Sequence, residues 1–583
     1  MSSEIPLSLG AEAFFAAERN MSRTVMRGTV HPAGVEEHIT REKIASEPGR
    51  SRVWPPSSDA GGPHREGEEP KPMMHGHGKS DEAVVAMRPA NEVERSVEKS
   101  VERRAEAKGN ASQQSTFRAQ SREDASQALE RIRQRARAKK EEKFIALLHH
   151  IDPNLLEEVF YELKANAAAG VDGVTWKDYE QDLERKLADL HGRVHRGAYR
   201  ALPSRRVYIP KPDGRQRPLA VAAIEDKIVQ RAAVVVLNAI YEADFLGFSY
   251  GFRPGRGAHD AMDALVVAIE GKQVNFILDA DIQSFFDTVS QERLVHLLEK
   301  RIGDRRMLHL IQKWLKVGVL EDGKVRTSDR GTAQGAVISP LLANIYLHHV
   351  LDLWAESWRR HEATGDMIIV RYADDFIVGF QHEGDARRFL DELRNRLQEY
   401  ALTLHPEKTR LIEFGRFAAE NRKRRGLGKP ETFNFLGFTF ICGKSRRGKF
   451  LIQRQTRRDR MRSKLMAVKQ ALRRRMHQGI PAQGKWLMQV VKGYFNYHAV
   501  PTNRHTLVVF RDEVTRAWRH ILSRRSQKGH IAWEQMRSIA EAWLPKPKIL
   551  YPWPRQRFAV THPRWEPYAG KPHVRFCAGG AQQ

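Results

Sequence analysis

Two acidic clusters in this chain hold the residue types that metal-assisted chemistry requires. In "VRYADDFIVGF" (370–380), Asp374 and Asp375 stand side by side between apolar, β-prone runs. In "FILDADIQSFFD" (276–287), an apolar run ends in Asp279, Asp281 and, further on, Asp287. An isolated Asp-Asp pair is most often a solvated turn. Here a strand end and a hairpin tip can meet in space, and convergent carboxylates repel unless a cation sits among them. Hard oxygen ligands suit Mg²⁺. Two such ions about 4 Å apart clamp the attacking and leaving oxygens in phosphoryl transfer. The pattern by itself does not rank Asp279 below Asp281.

The surrounding elements must bring these carboxylates together. "VNFILDADI" reads as a strand and "MIIVRYADDFIVGF" as a hairpin. "RRVYIPKPDGRQRPLAV" reads as two strands joined by a Pro-Asp-Gly turn. Helical spacing marks "EDKIVQRAAVVVLNAIYEADF", "SQERLVHLLEKRI" and "DARRFLDELRNRLQEYAL", and "SPLLANIYLHHVLDLWAESW" reads as one long helix opened by Ser339-Pro340. Upstream, "DASQALERIRQRARAKKEEKFIALLHHI" is a basic helical stretch that ends apolar. "DPNLLEEVFYELKANAAAG" follows, with Asp152 as N-cap, Pro153 at the first helical position and Gly170 beyond the end. The mixture is α+β, without the strict βαβ repeat of a doubly wound sheet.

Composition narrows the partners. Lys plus Arg outnumber Asp plus Glu by 98 to 71, a net charge of +27. A polyanion suits that balance, because each neutralised phosphate releases condensed counterions. A generically basic, well-solubilised protein has the same charge. No apolar run nears the roughly 18 residues of a membrane span, and the N-terminus lacks the pattern of a secretory signal. Two cysteines, Cys442 and Cys577, fit a reducing cytoplasm and cannot build a disulfide scaffold.

Five regions follow. Residues 1–122, rich in Gly, Pro, Ser, Glu and Arg, are expected to be disordered or a non-native extension read from an upstream start. Residues 123–200 are expected to be helical, 201–450 to mix helix and strand, 451–545 to be all-helical and basic, and 546–583 to form a basic tail.

The ordered motifs resemble those of bacterial group II intron-encoded reverse transcriptase/maturases. "YADD" (372–375) and D-x-x-x-F-F (281–286) are joined by "YIPKPDGRQRPLAVAAIEDKIVQ", "YGFRPGRGAHDAM", "RGTAQGAVISPLLANIYLHHVLD", "LTLHPEKTRLIEFG" and "FNFLGFTF", in that family's order over about residues 125–583. The resemblance implies a right-hand polymerase of fingers and palm (201–450), followed by a helical thumb and maturase domain X (451–545). It implies RNA-directed DNA synthesis, with Mg²⁺ held by Asp281, Asp374 and Asp375 and Asp279 demoted to a neighbour. Phe286 matches the aromatic that excludes a 2′-OH. Lys211 and Arg217 match fingers residues on the incoming triphosphate, and Gln334 matches a residue of the nucleotide pocket. Ala333 and Ala336 stand where such families often show Pro and Gly. Lys408 matches the lysine assigned to protonating pyrophosphate. Arg253 is read as a template contact or a loop brace.

In the domain X-like segment "VVKGYFNYHAVPTN", Lys492, Tyr494, Tyr497, Asn503 and Arg504 are assigned to RNA, with Phe495 and one Tyr expected in the core. The Arg runs at 457–462 and 473–475 are expected to track a duplex backbone. The implied partners are structured intron RNA, an RNA template with DNA primer, dNTPs and target DNA. The implied setting is a bacterial cytoplasmic ribonucleoprotein on nucleoid DNA, with no membrane and a homodimer left open. The four cysteines of a zinc endonuclease are missing, so mobility is expected to use an existing 3′ end. The alternatives are a non-catalytic splicing factor with a decayed palm, and a related enzyme recruited to host defence or repair.

Overall fold

The computed structural model describes residues 126–210, 216–525 and 529–561. The expectation of disorder over 1–122, Lys211 and the end of the tail therefore lie outside the described residues.

Chain entry follows capping chemistry. The opening helix spans 126–138 and stops there, short of the apolar end expected of that stretch. Phe144 instead forms a parallel bridge with Ile302. Helix α1 (Pro153–Glu162) begins where the Asp152 carboxylate accepts from Leu155 N at 2.7 Å. Gly170 lies well past its end and packs on the Ala222–Ala223 backbone, where a Cβ would come within 2.5 Å of Ala223 Cα.

Strands β1 (Ser204–Pro210) and β2 (Gln216–Val221) pair antiparallel, from Arg205 opposite Val221 to Pro210 opposite Gln216. β4 (Val319–Glu321) and β5 (Lys324–Arg326) extend this sheet in the order β2-β1-β4-β5. Two core helices follow β2: α2 (Ile224–Asp244) and α3 (Ala258–Gly271), both buried over most of their length.

A second sheet has the order β6-β7-β3-β8. Its strands are β3 (Phe276–Asp281), β6 (Met367–Tyr372), β7 (Asp375–Phe380) and β8 (Arg410–Glu413), with β3 central and antiparallel to both neighbours. Helix α4 (Gln291–Glu299) is capped by Ser290, whose hydroxyl accepts from Arg293 N at 3.3 Å. The helix expected after Ser339-Pro340 is interrupted: α5 (Ser339–Leu347) passes through a π turn, His348–Asp352, into α6 (Leu353–His361). Helix α7 (Glu383–Glu399) covers β3 and β7 with Phe389, Leu393 and Leu397.

After β8, the short helix α8 (Ala418–Arg424) leads into a three-stranded sheet, β11-β10-β9. It comprises β9 (Phe433–Phe435), β10 (Phe438–Lys444) and β11 (Phe450–Thr456). The boundary placed at 450/451 falls inside β11. Helices α9 (Arg458–Arg474), α10 (Ile480–His498), α11 (Arg504–Ser523) and α12 (Trp533–Trp543) then build a separate apolar core around Trp518, Phe510, Val491 and Leu487. The segment expected as a basic tail holds α13 (Pro554–Thr561), where Arg557 reaches Asp260 and Asp263 on α3.

Candidate active site

Strand register sets the site. Because side chains alternate along a strand, Ile277, Asp279 and Asp281 share one face of β3. Antiparallel pairing puts Asp281 directly opposite Asp375 and Asp279 opposite Arg410. On the other side of β7, Tyr372 pairs with Asp375, so Ala373 and Asp374 form a two-residue turn. Ala373 has φ 58° and Asp374 is not among the positive-φ residues, the φ pattern of a type II′ hairpin turn. The two acidic clusters thus meet at one sheet end.

The electrostatics follow from that convergence. Asp375 is held well above the usual carboxylate range, first by burial, then by the charges of Asp279, Asp374 and Asp281. Asp374 is raised too, chiefly by burial and further by Asp281, while Arg217 and Lys408 pull it back. Asp279 is raised mainly by burial and ion-paired to Arg410 at 3.3 Å, which makes it a braced neighbour of Asp281. Lys408 Nζ lies 2.5 Å from Asp281 Oδ2. Its ammonium occupies the position of a cation at that carboxylate.

Among the described residues no three His, Cys, Asp or Glu side chains are gathered closely enough to hold an ion as they stand. The donor chemistry nevertheless fits a hard dication. The would-be ligands are all carboxylate oxygens, they are crowded and partly desolvated, and burial with three neighbouring carboxylates opposes the charge on Asp375, which a cation would relieve.

The other nucleotide-site candidates cluster around the same sheet end. Phe286 is partly buried against Phe285, and its carbonyl accepts from Thr332 N at 2.8 Å. The loop that follows docks on β2: Ala220 N donates to Gln334 O at 2.7 Å. Gly335, at φ 112°, passes so close to Ala220 that a Cβ would lie 2.6 Å from its carbonyl oxygen. Arg217, exposed on β2, is close enough to Asp374 to act on its charge. Backbone hydrogen bonds thus tie Phe286 to the loop that carries Gln334, and that loop to the strand that carries Arg217.

Three RNA-site expectations need correction. Arg253 has a side chain only 3% exposed. Its guanidinium is occupied by Glu242 and by the carbonyls of Leu246 and Ser249, so it braces a loop. Tyr494 is buried and stacks on Phe510 with ring centroids 3.6 Å apart, beside buried Phe495. Asn503 is fully buried: it donates to Thr456 Oγ1 and His498 O and accepts from Thr456 N, which latches β11 to α10. A hydrogen-bonding side chain in a polar segment looks the same in sequence whether it faces RNA or its own backbone. Tyr497 is half-buried, with its hydroxyl donated to Leu436 O at 2.8 Å. Lys492 and Arg504 are exposed.

The positioning residues were missed. Arg371, fully buried, makes a bidentate pair with Asp352 at 2.7 and 2.6 Å and donates to Asn344, Ser249 and Ala373 O. The last bond ties it to the turn that presents Asp374. Asn344 also donates to Gly251 O at 2.6 Å. Gly251 rides against that turn, where a Cβ would meet Ala373 N at 2.4 Å. The only sequence signal was an arginine inside an otherwise apolar strand.

The reverse transcriptase (RNA-dependent DNA polymerase) family model matches residues 209–440, the segment holding both acidic clusters. Protein YkfC of Escherichia coli is 32% identical over 318 residues, covering 48% of this chain and 78% of YkfC. The group II intron-encoded protein LtrA of Lactococcus lactis is 33% identical over 224 residues, 38% of this chain and 37% of LtrA. The chain belongs to the group II intron-encoded reverse transcriptase/maturase family. A putative COX1/OXI3 intron 1 protein of Saccharomyces cerevisiae is 23% identical over 427 residues, which is 62% of this chain and 50% of that protein. For this reverse transcriptase, likeness to LtrA and the yeast protein thus spans half or less of their lengths. Among the described residues no helix is long and apolar enough to cross a membrane.

Proposed function

We propose that this reverse transcriptase copies an RNA template from a DNA primer and also binds intron RNA as a maturase. The observation that carries the polymerase reading is Asp281 opposite Asp375 in register, with Asp374 in the adjoining turn. In this reading the β6-β7-β3-β8 sheet with α3 and α7 is the palm. β1 and β2 belong to the fingers, and α9 to α12 form the thumb and domain X.

Asp281, Asp374 and Asp375 would hold Mg²⁺, which when bound supplies charge neutralisation for attack of a primer 3′-OH on a dNTP α-phosphate. The chain's own residues do the rest. Arg217 approaches Asp374 from the fingers side and suits triphosphate charge, as its forked guanidinium pairs well with phosphate. Phe286, fixed by its backbone to the Gln334 loop, would stand beneath the sugar and reject a 2′-OH. Lys408 keeps its ammonium at the carboxylates, placed to give a proton to departing pyrophosphate. Lys492 and Arg504 remain as exposed contacts for intron RNA.

Primer extension on an RNA template with dNTPs and Mg²⁺ is the test. Synthesis by the wild type that drops about 10³-fold in Asp374→Ala supports the assignment, several kcal/mol being the scale of metal-assisted stabilisation. Assisted splicing should survive that substitution. No synthesis by a folded wild type would favour a palm that keeps the fold but not the chemistry.

A further inference from the structure

At the end of the β6-β7-β3-β8 sheet away from the carboxylates lies a patch that the polymerase reading does not use. Asp281 closes one end of β3, while Phe276 at the other end pairs with Glu413. Five residue steps separate them, about 17 Å of strand. From Glu413 the chain enters α8 and the loop to β9, and the β10–β11 hairpin turns back beside it. Cys442 Sγ lies 3.5 Å from Gly415 O. Glu420 is held below its usual range first by Arg424 and also by Lys444, which places the base of the hairpin turn beside α8.

The hairpin turn is well defined: Ser445 N donates to Lys449 O at 2.8 Å and Gly448 N to Ser445 O at 2.9 Å. It presents Arg446 and Arg447 to solvent. The acidic side chains of this region are already engaged, Glu413 by Arg425, Glu420 by Arg424 at 2.7 Å and Glu431 by Arg422 at 3.9 Å. That leaves Lys423, Lys429, Arg446, Arg447 and Lys449 exposed, without a carboxylate ion pair among the described residues, and Lys444 exposed beside the already paired Glu420. Within the same surface Phe417 is 50% and Leu427 47% exposed.

Unneutralised cations spaced along a hairpin and a helix match a phosphate backbone. A bare aromatic ring among them gives an unstacked base a face to lie on, which a solvated lysine surface does not need and a rigid duplex cannot exploit. The surface lies at the end of β3 opposite the carboxylates. We propose that α8, the loop after it and the β10–β11 turn bind an unpaired loop of structured RNA. This rests on the RNA-binding reading above and gives it a second location, outside the helical domain.

The test compares Arg446→Gln/Arg447→Gln with a charge-matched control, Arg387→Gln/Arg394→Gln on α7, in binding a labelled RNA stem-loop over a salt series. The patch variant should bind several-fold more weakly, with a log–log salt slope shallower by about 1 to 2, and the control should match the wild type. Phe417→Ala should weaken the stem-loop but not a blunt RNA duplex. Primer extension on a short linear template should be unchanged in every variant, so a failed polymerase assignment would show separately, in the wild type. Equal losses in patch and control variants would reduce the patch to a solvated face. Equal binding and equal losses with single-stranded DNA of the same sequence would overturn the choice of RNA.

Discussion

At the scale of single residues, the chemistry depends on a carboxylate kept where it is uncomfortable. Asp375 binds a proton more tightly in the folded protein than in the unfolded chain, because burial and three neighbouring carboxylates oppose its charge. The folded state therefore takes up the extra proton, and metal-free stability falls as pH rises above the unfolded value of about 4. Asp375→Asn should melt higher than the wild type in chelator at neutral pH and make no DNA. Mg²⁺ should raise the wild-type Tm and leave that of Asp375→Asn nearly unmoved. A thermal melt with and without Mg²⁺ checks both signs, since a ligand that binds only the native state stabilises it.

At the scale of elements, a turn of two residues is held by a buried ion pair beneath it. The π turn His348–Asp352 changes the helical phase between α5 and α6 where Asp352 meets Arg371. Asp352→Ala would leave a buried guanidinium without its carboxylate, at a cost of about 3–5 kcal/mol. Gly251→Ala should leave the fold intact but displace the Ala373–Asp374 turn, cutting primer extension by at least tenfold, as small misplacements of a reacting group do. Circular dichroism melts together with extension rates separate the two effects. A glycine 122 residues from Ala373 in sequence gave no sign that it would touch the turn. Its requirement comes from the parallel bridge between Ser249 and Arg371.

For the whole molecule, the joint between the β6-β7-β3-β8 sheet with α3 and the later helices is the sensitive place. His259 on α3 lies 2.8 Å from Tyr497 O, stacks on Tyr551 at 4.2 Å, and has Asp260, Arg454 and Arg557 around it. Burial pushes it down to about 4, and pushes His498 across the joint down to about 3. Both are neutral in the folded protein, whereas the unfolded chain protonates near 6.5. Stability should therefore be complete above about pH 6.5 and fall as pH drops toward 4, by about 3 kcal/mol for each buried ring. His259→Gln should flatten that slope in urea melts taken at several pH values.

Arg557 clamps the same joint from the C-terminal side, at 2.6 Å from Asp260 and 2.9 Å from Asp263. Arg557→Ala should cost about 1–2 kcal/mol and speed amide exchange in α3, read by hydrogen-exchange mass spectrometry.

Sequence alone placed most of the strands and helices around the site, because period-two and helical spacings are local, and its motif order singled out three carboxylates as candidates. It also determined the cap at Asp152, where a side chain meets an amide three residues away. Tertiary structure alone decided which polar residues face outward. Arg253, Tyr494 and Asn503 have the chemistry to bind RNA, but Tyr494 and Asn503 find partners on other elements, and Arg253 turns back on its own loop, where no periodic pattern shows the side chain's direction. It also decided that Asp281 and Asp375 are strand partners, and that Arg371, Asp352 and Gly251 hold the Ala373–Asp374 turn beside them. Those assignments depend on register and on close backbone approach, which only the packed chain specifies.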